Sequence, residues 1–120
     1  MHQYYNPDLT PEQMNELDRR NLVMLTAVQA SIGNLHPAIR AVFVELHGSE
    51  VYLHFIVSQG VDSECEEDID DTASEFNAMT WNIADVTAVA VLHVDEAPRN
   101  WVELGWHPIF WAKGWSAWTD

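Results

Sequence analysis

The chain has 120 residues, 48% of them hydrophobic, with 19 Asp and Glu against five Lys and Arg and a net charge of −14. That length suits one domain with a core of its own, and an apolar content that includes six Trp excludes a disordered chain. The charge disfavours nucleic acid and anionic membrane as partners and favours a cationic one.

No 18-residue apolar run marks a membrane span, and the first residues do not read as a secretory signal. The single cysteine, Cys65, has no internal partner, so nothing calls for an oxidising compartment and a cytoplasmic location is expected.

Residues 1–9 read as a loose arm carrying Tyr4 and Tyr5. Thr10-Pro11-Glu12-Gln13 then opens a helix predicted over 11–32. Thr10 serves as cap, Pro11 suits the first helical position and Gln13 closes a capping box. Met14, Leu17, Leu25, Val28 and Ile32 form its apolar face, and Gly33 ends it. From Ala38 the hydrophobic period changes to two. Runs at 38–46 and 51–57 around Gly48-Ser49 predict a β-hairpin.

A second helix is predicted over 63–82, opening at Ser63 with Glu66 as its capping partner. Cys65, Ile69, Thr72, Phe76, Met79 and Ile83 make one apolar stripe, with Glu64, Glu67, Asp68, Asp71 and Glu75 opposite. Val86–Val94 is an almost unbroken apolar run and reads as a central strand covered on both faces. Trp101–Trp111 is a last extended region, with a strand expected at 101–106. Pro108 makes it an edge strand or breaks it in two. Residues 112–120 follow as a Trp-containing tail. The expected fold is α+β in the order α-β-β-α-β-β: a four-stranded, mainly antiparallel sheet with two helices on one face. Nothing separates a second domain, so 1–120 reads as one.

The acidic segment of the second helix is the most unusual feature. Acids in a first turn suit the helix dipole, but Asp68, Asp71 and Glu75 lie beyond it. Like-charge pairs at i,i+4, such as Glu64/Asp68 and Glu67/Asp71, each cost roughly 0.2–0.5 kcal/mol, and no Lys or Arg relieves them. Such a helix is either a plain solvated face or a surface that gains its stabilisation from a partner. A calcium site is not expected, because the loop order and central glycine of an EF-hand are missing.

The six His show no ligand spacing and read as structural, so no metal and no cofactor are expected. Cys65 stands among acids that disfavour a thiolate. No residues suggest catalysis, and an enzyme is not expected. Trp101, Trp106, Trp111, Trp115 and Trp118 crowd the last twenty residues. Some of them pack on the sheet; others, with Trp106 and Trp111 the candidates, are available as aromatic anchors.

The stretch Gly33-Asn34-Leu35-His36-Pro37-Ala38-Ile39-Arg40-Ala41-Val42, the strand pair after it, and Ser63-Glu64-Cys65-Glu66-Glu67-Asp68-Ile69-Asp70-Asp71-Thr72-Ala73-Ser74 carry a resemblance. Over about residues 15–95 the chain resembles the small acidic immunity proteins of bacterial polymorphic toxin and contact-dependent growth inhibition systems. The resemblance implies a stoichiometric inhibitor of a cognate toxin domain, often a nuclease, with no chemistry of its own. The expected function is therefore binding of a basic toxin domain through Glu64, Glu67, Asp68, Asp71 and Glu75, with Trp106 and Trp111 as further contacts. Mimicry of DNA toward a nucleic-acid enzyme is a close variant. From another class, a homo-oligomeric structural or interaction subunit, a homodimer for instance, is the alternative.

Overall fold

The computed structural model describes residues 10–58, 61–81 and 86–115. The expected N-terminal arm at 1–9, Ile83 and Trp118 lie outside the described residues. Helix α1 spans Pro11–Ser31 and opens with the expected capping box. The Thr10 hydroxyl accepts the Gln13 N–H at 3.1 Å and the Gln13 side-chain oxygen accepts the Thr10 N–H at 2.9 Å.

The face that α1 buries is not the expected one. Val23, Thr26, Ala27, Ala30 and Ser31 are buried, whereas Leu25, Val28 and Ile32 are 63%, 39% and 70% exposed. Two small residues, Ala27 and Ala30, allow the helix backbone a close approach that a row of larger side chains would prevent. The hydroxyls of Thr26 and Ser31 donate to carbonyls one turn back, on Leu22 and Ala27, and so enter the core satisfied.

Strands β1 (Ile39–His47) and β2 (Glu50–Val57) form the expected antiparallel hairpin. Its two-residue turn has a positive φ of 59° at Gly48, the first position, as a type II′ turn requires. Helix α2 spans Ser63–Thr80, but its cap is Asp62 rather than the expected Ser63/Glu66 box. The Asp62 carboxylate accepts the Cys65 N–H at 2.9 Å. Cys65, Ile69, Thr72 and Phe76 are buried as expected. Met79 is 38% exposed, and Thr80 takes its place inside.

The sheet is mixed rather than mainly antiparallel. Strand β3 (Thr87–Val94) runs parallel to β2, and β4 (Trp106–Trp111) is antiparallel to β1, giving the order β3-β2-β1-β4. β2, α2 and β3 are thus a strand–helix–strand crossover. The 18 residues of α2 cover about 27 Å at 1.5 Å each. The eight of β2 cover about 26 Å, so the helix returns the chain to where β2 began. The apolar run of β3 belongs to a parallel strand but stands at an edge, which corrects the expectation of a central strand.

The expected strand at 101–106 begins only at Trp106. Residues 101–105 form a turn closed by Leu104 N–H to Asn100, Gly105 N–H to Val102 and Trp106 N–H to Trp101. Pro108 lies in β4, on the opposite edge from β3, as its missing N–H requires.

Both helices cover one face of the sheet. Val23, Ala27 and Ala30 of α1 and Cys65, Ile69 and Phe76 of α2 meet Val42, Val44, Val51, Leu53, Phe55, Val57 and Ala88. Among the described residues the other face has no helix; Ala41, Phe43 and Ile56 are covered there by Ala97, Trp101, Trp106 and Trp115.

Two substitutions on α1 test which face is buried. Ala27→Leu should lower stability by roughly 1–3 kcal/mol through overpacking, while Ile32→Gln should stay within about 0.5 kcal/mol of the parent; chemical denaturation followed by circular dichroism reads both, and the reverse ranking would contradict the observed packing. For α2, Asp62→Ala should cost about 1 kcal/mol as a lost cap, whereas Ser63→Ala should leave the melting temperature nearly unchanged.

Candidate functional site

Glu64, Glu67, Asp71 and Glu75 are exposed on α2 and Asp68 is half-buried. The structure brings these five together along one helix. No Lys or Arg occurs between Arg40 and Arg99, so β2, α2 and β3 together hold no permanent cation. Trp106 and Trp111 are not part of this surface, because β4 forms the far edge of the sheet. Trp106 is 7% exposed, and its ring stacks on His54 with centroids 3.7 Å apart and planes 12° from parallel. Trp111 is 40% exposed, lies edge-on to Phe43, and donates its indole N–H to the Trp115 carbonyl. Trp81, just past α2, is 78% exposed, and no pattern in the sequence singles it out.

Among the described residues, strand β3 presents an open edge beside α2. The Thr87 N–H bonds to Ser49 and the Asp95 N–H to Val57, so odd-numbered residues turn their peptide groups toward β2. Even-numbered ones, Ala88, Ala90, Leu92 and Val94, turn theirs outward. One outward position is occupied: the Asn77 side chain donates to the Ala88 carbonyl at 3.2 Å and accepts the Ala88 N–H at 2.8 Å. Beyond Ala88, Ala90 and Leu92 line an open pocket of about 280 Å³ with Ile69, Glu66 and Asp70 of α2. Val89, Leu92 and Val94 are 54%, 42% and 48% exposed.

The helix-free face carries a polar chain next to Trp106. His54 Nε2 lies 2.8 Å from Glu45 Oε1 and His54 Nδ1 lies 2.9 Å from His93 Nε2; His47 bonds to the second Glu45 oxygen. A carboxylate only accepts, so His54 donates from Nε2, and neutral His54 then accepts the His93 Nε2–H. Burial pushes both imidazoles below their ordinary pKa. For His54 the bond to Glu45 opposes this shift, and for His93 the neighbouring His54 adds to it. Burial alone would raise the Glu45 pKa, but its bonds to His54 and His47 outweigh that and hold it low. His54 and His93 thus have the structural role expected of them, with Glu45 on the same face of the sheet as their partner.

Among the described residues, His36, Asp62 and Glu64 have ligand atoms within 4.8 Å of one another. Ion binding there is chemically disfavoured. His36 Nδ1 already accepts the Ala38 N–H at 3.0 Å, so neutral His36 keeps its proton on Nε2, the atom facing Asp62 at 3.7 Å. The Cys65 thiol is pushed up by burial and by Asp62, Asp68 and Glu66, which leaves it a poor nucleophile. A second open groove, lined by Leu17, Met24, Leu25 and Val28 of α1 with Pro108 and Ile109 of β4, follows from the apolar row that α1 leaves outside. No helix of the described residues is long and apolar enough to cross a membrane.

A family model described as MafI2 immunity protein matches residues 20–106. The match carries the immunity-protein part of the resemblance seen in the sequence, and not its contact-dependent growth inhibition part. No curated protein matches the chain.

The buried imidazoles make stability depend on pH. Their folded pKa values lie below the unfolded one, so the unfolded chain takes up protons that the folded one refuses. Stability is then intact above the ordinary histidine value of about 6.5 and falls as pH drops below it. Glu45, held low, adds a loss at more acidic pH. Melting temperatures between pH 7.5 and 5 should therefore fall in the parent and fall less in His93→Gln; equal slopes would remove His93 from this account.

Proposed function

The chain belongs to the MafI2 immunity protein family, and from that premise we propose that it neutralises a cognate toxin by covering a cationic surface of the toxin with the acidic face of α2. The observation that carries this reading is the uncompensated charge. Glu64, Glu67, Asp68, Asp71 and Glu75 repel one another along the helix, and no cation lies between residues 40 and 99 to relieve them. A cationic partner turns that repulsion into attraction and speeds the encounter. A toxin that acts on nucleic acid has a cationic substrate surface, and an acidic helix laid over it would occupy the place of phosphates. In this reading the protein acts in the cytoplasm as a stoichiometric inhibitor and performs no reaction. The exposed row of Leu25, Val28 and Ile32 on α1 supports a second reading, self-association, which light scattering of the isolated protein separates from the first.

Replacing Asp68, Asp71 and Glu75 together by Lys tests the main reading. The fold should persist, since none of the three belongs to the buried stripe of Cys65, Ile69, Thr72 and Phe76. Stability should rise by a few tenths of a kcal/mol as Glu64/Asp68 and Glu67/Asp71 become attractive i,i+4 pairs. Association with a cognate toxin domain should slow by about tenfold or more at low salt and lose most of its salt dependence. An unchanged rate in a folded triple variant would mean that α2 is only a solvated face.

A further inference from the structure

We propose that the open edge of β3 is the place where the toxin joins the fold: an extended basic segment of the toxin adds a fifth strand, pairing with the outward peptide groups of Ala90, Leu92 and Val94 while its Lys or Arg side chains reach Glu66 and Asp70. This deepens the toxin-binding reading above and rests on it.

The two edges of the sheet are treated differently. Strand β4 is six residues long and contains Pro108, and its pairing with β1 is interrupted by a bulge; all three features discourage further pairing. Strand β3 has none of these protections. Its eight residues, Thr-Ala-Val-Ala-Val-Leu-His-Val, contain no Pro and no charge, and its register with β2 is unbroken from Glu50/Thr87 to Val57/Val94. The sequence is that of an interior strand, yet Val89, Leu92 and Val94 stand 54%, 42% and 48% exposed at an edge. One more strand would make β3 the interior strand its composition suits.

Asn77 fixes where such a strand begins. Its amide pairs with both peptide groups of Ala88, as a neighbouring strand would, so the next outward positions, Ala90, Leu92 and Val94, are the ones offered. Glu66 and Asp70 lie on the same flank of α2, beside Ala90 and Leu92. Residues four apart on a helix are separated by about 6 Å along its axis, and alternate residues of a strand by about 6.6–6.8 Å. Two successive helix-facing side chains of an incoming strand therefore match the two carboxylates. That charge selects a basic strand. It also disfavours a second copy of this chain, because β3-to-β3 pairing would bring two such acidic flanks together.

Hydrogen exchange on the protein alone and in complex with a cognate toxin domain tests the proposal. Amides of Val89, Val91 and His93, turned toward β2, and of Ala88, held by Asn77, should be slow in both states. Those of Ala90, Leu92 and Val94 should be fast alone and slowed at least about tenfold in the complex. Leu92→Pro removes an outward N–H and no bond to β2, so it should remain folded and bind at least about tenfold more weakly. Glu66→Gln with Asp70→Asn should also weaken binding. A complex that leaves the edge amides fast, or a folded Leu92→Pro that binds like the parent, would overturn the strand addition while leaving the toxin-binding function standing. Edge amides already slow in a toxin-free dimer would assign the edge to a second copy and overturn it as well. If no complex forms at all, the functional reading falls first and this inference with it. Should Leu92→Pro fail to fold, the exchange pattern of the parent decides alone.

Discussion

A helix of 18 residues between two strands of eight leaves the chain little choice. Its length carries it back to the start of β2, so β3 must run parallel to β2. Because β1 already occupies the other side of β2, β3 must lie at the edge. The same crossover sets α2 against β3, with its buried stripe on the sheet and its acids outside. The open strand, the Asn77 amide bound to it and the carboxylates of Glu66 and Asp70 beside it are all products of that one connection. None of them requires a loop to hold it in place, which gives the surface the rigidity of the sheet itself.

The rest of the molecule answers a different requirement. Four consecutive residues of β1, Ala41 to Val44, are buried, so both faces of the sheet need a cover and the helices supply only one. On the other face Phe43 lies against Trp101, Trp106 and Trp111, with ring centroids 5.3, 5.5 and 6.0 Å away. This accounts for much of the aromatic crowding near the C-terminus: those rings do the work of a missing third helix. Where they end, Glu45, His54 and His93 fill the gap with polar groups that satisfy one another.

Much of this could be read from the sequence, and the failures have physical reasons. The Thr10/Gln13 box, the Gly48-Ser49 turn and the stripe from Cys65 to Phe76 follow local rules that tertiary contacts did not override. The buried face of α1 was missed because hydropathy favours large apolar residues, while close helix packing selected Ala27 and Ala30 and admitted self-bonded Thr26 and Ser31. The direction of β3 was missed although strand, long helix and strand in succession are a crossover pattern; its apolar run fitted a parallel strand, and only the pairing order put it at the edge. For the candidate surface, the charge on α2 was plain. The edge groups of Ala90 and Leu92 are backbone, however, and no residue type announces an unpaired peptide. Trp106 looked like an anchor because sequence carries the abundance of Trp and not its burial.

An unprotected strand edge is ordinarily a hazard for the cell that makes it, since any other extended chain is a template match for its free peptide groups. Here the usual gatekeepers, an edge Lys or Pro, are absent from β3, and a net charge of −14 stands in for them. Copies of the chain carry the same sign and hold one another at a distance while the edge is empty. That defence is colloidal rather than local, and it reaches only as far as salt permits: about 10 Å at 0.1 M and about 3 Å at 1 M. Like charge of this size thus disfavours the approach of two copies through β3.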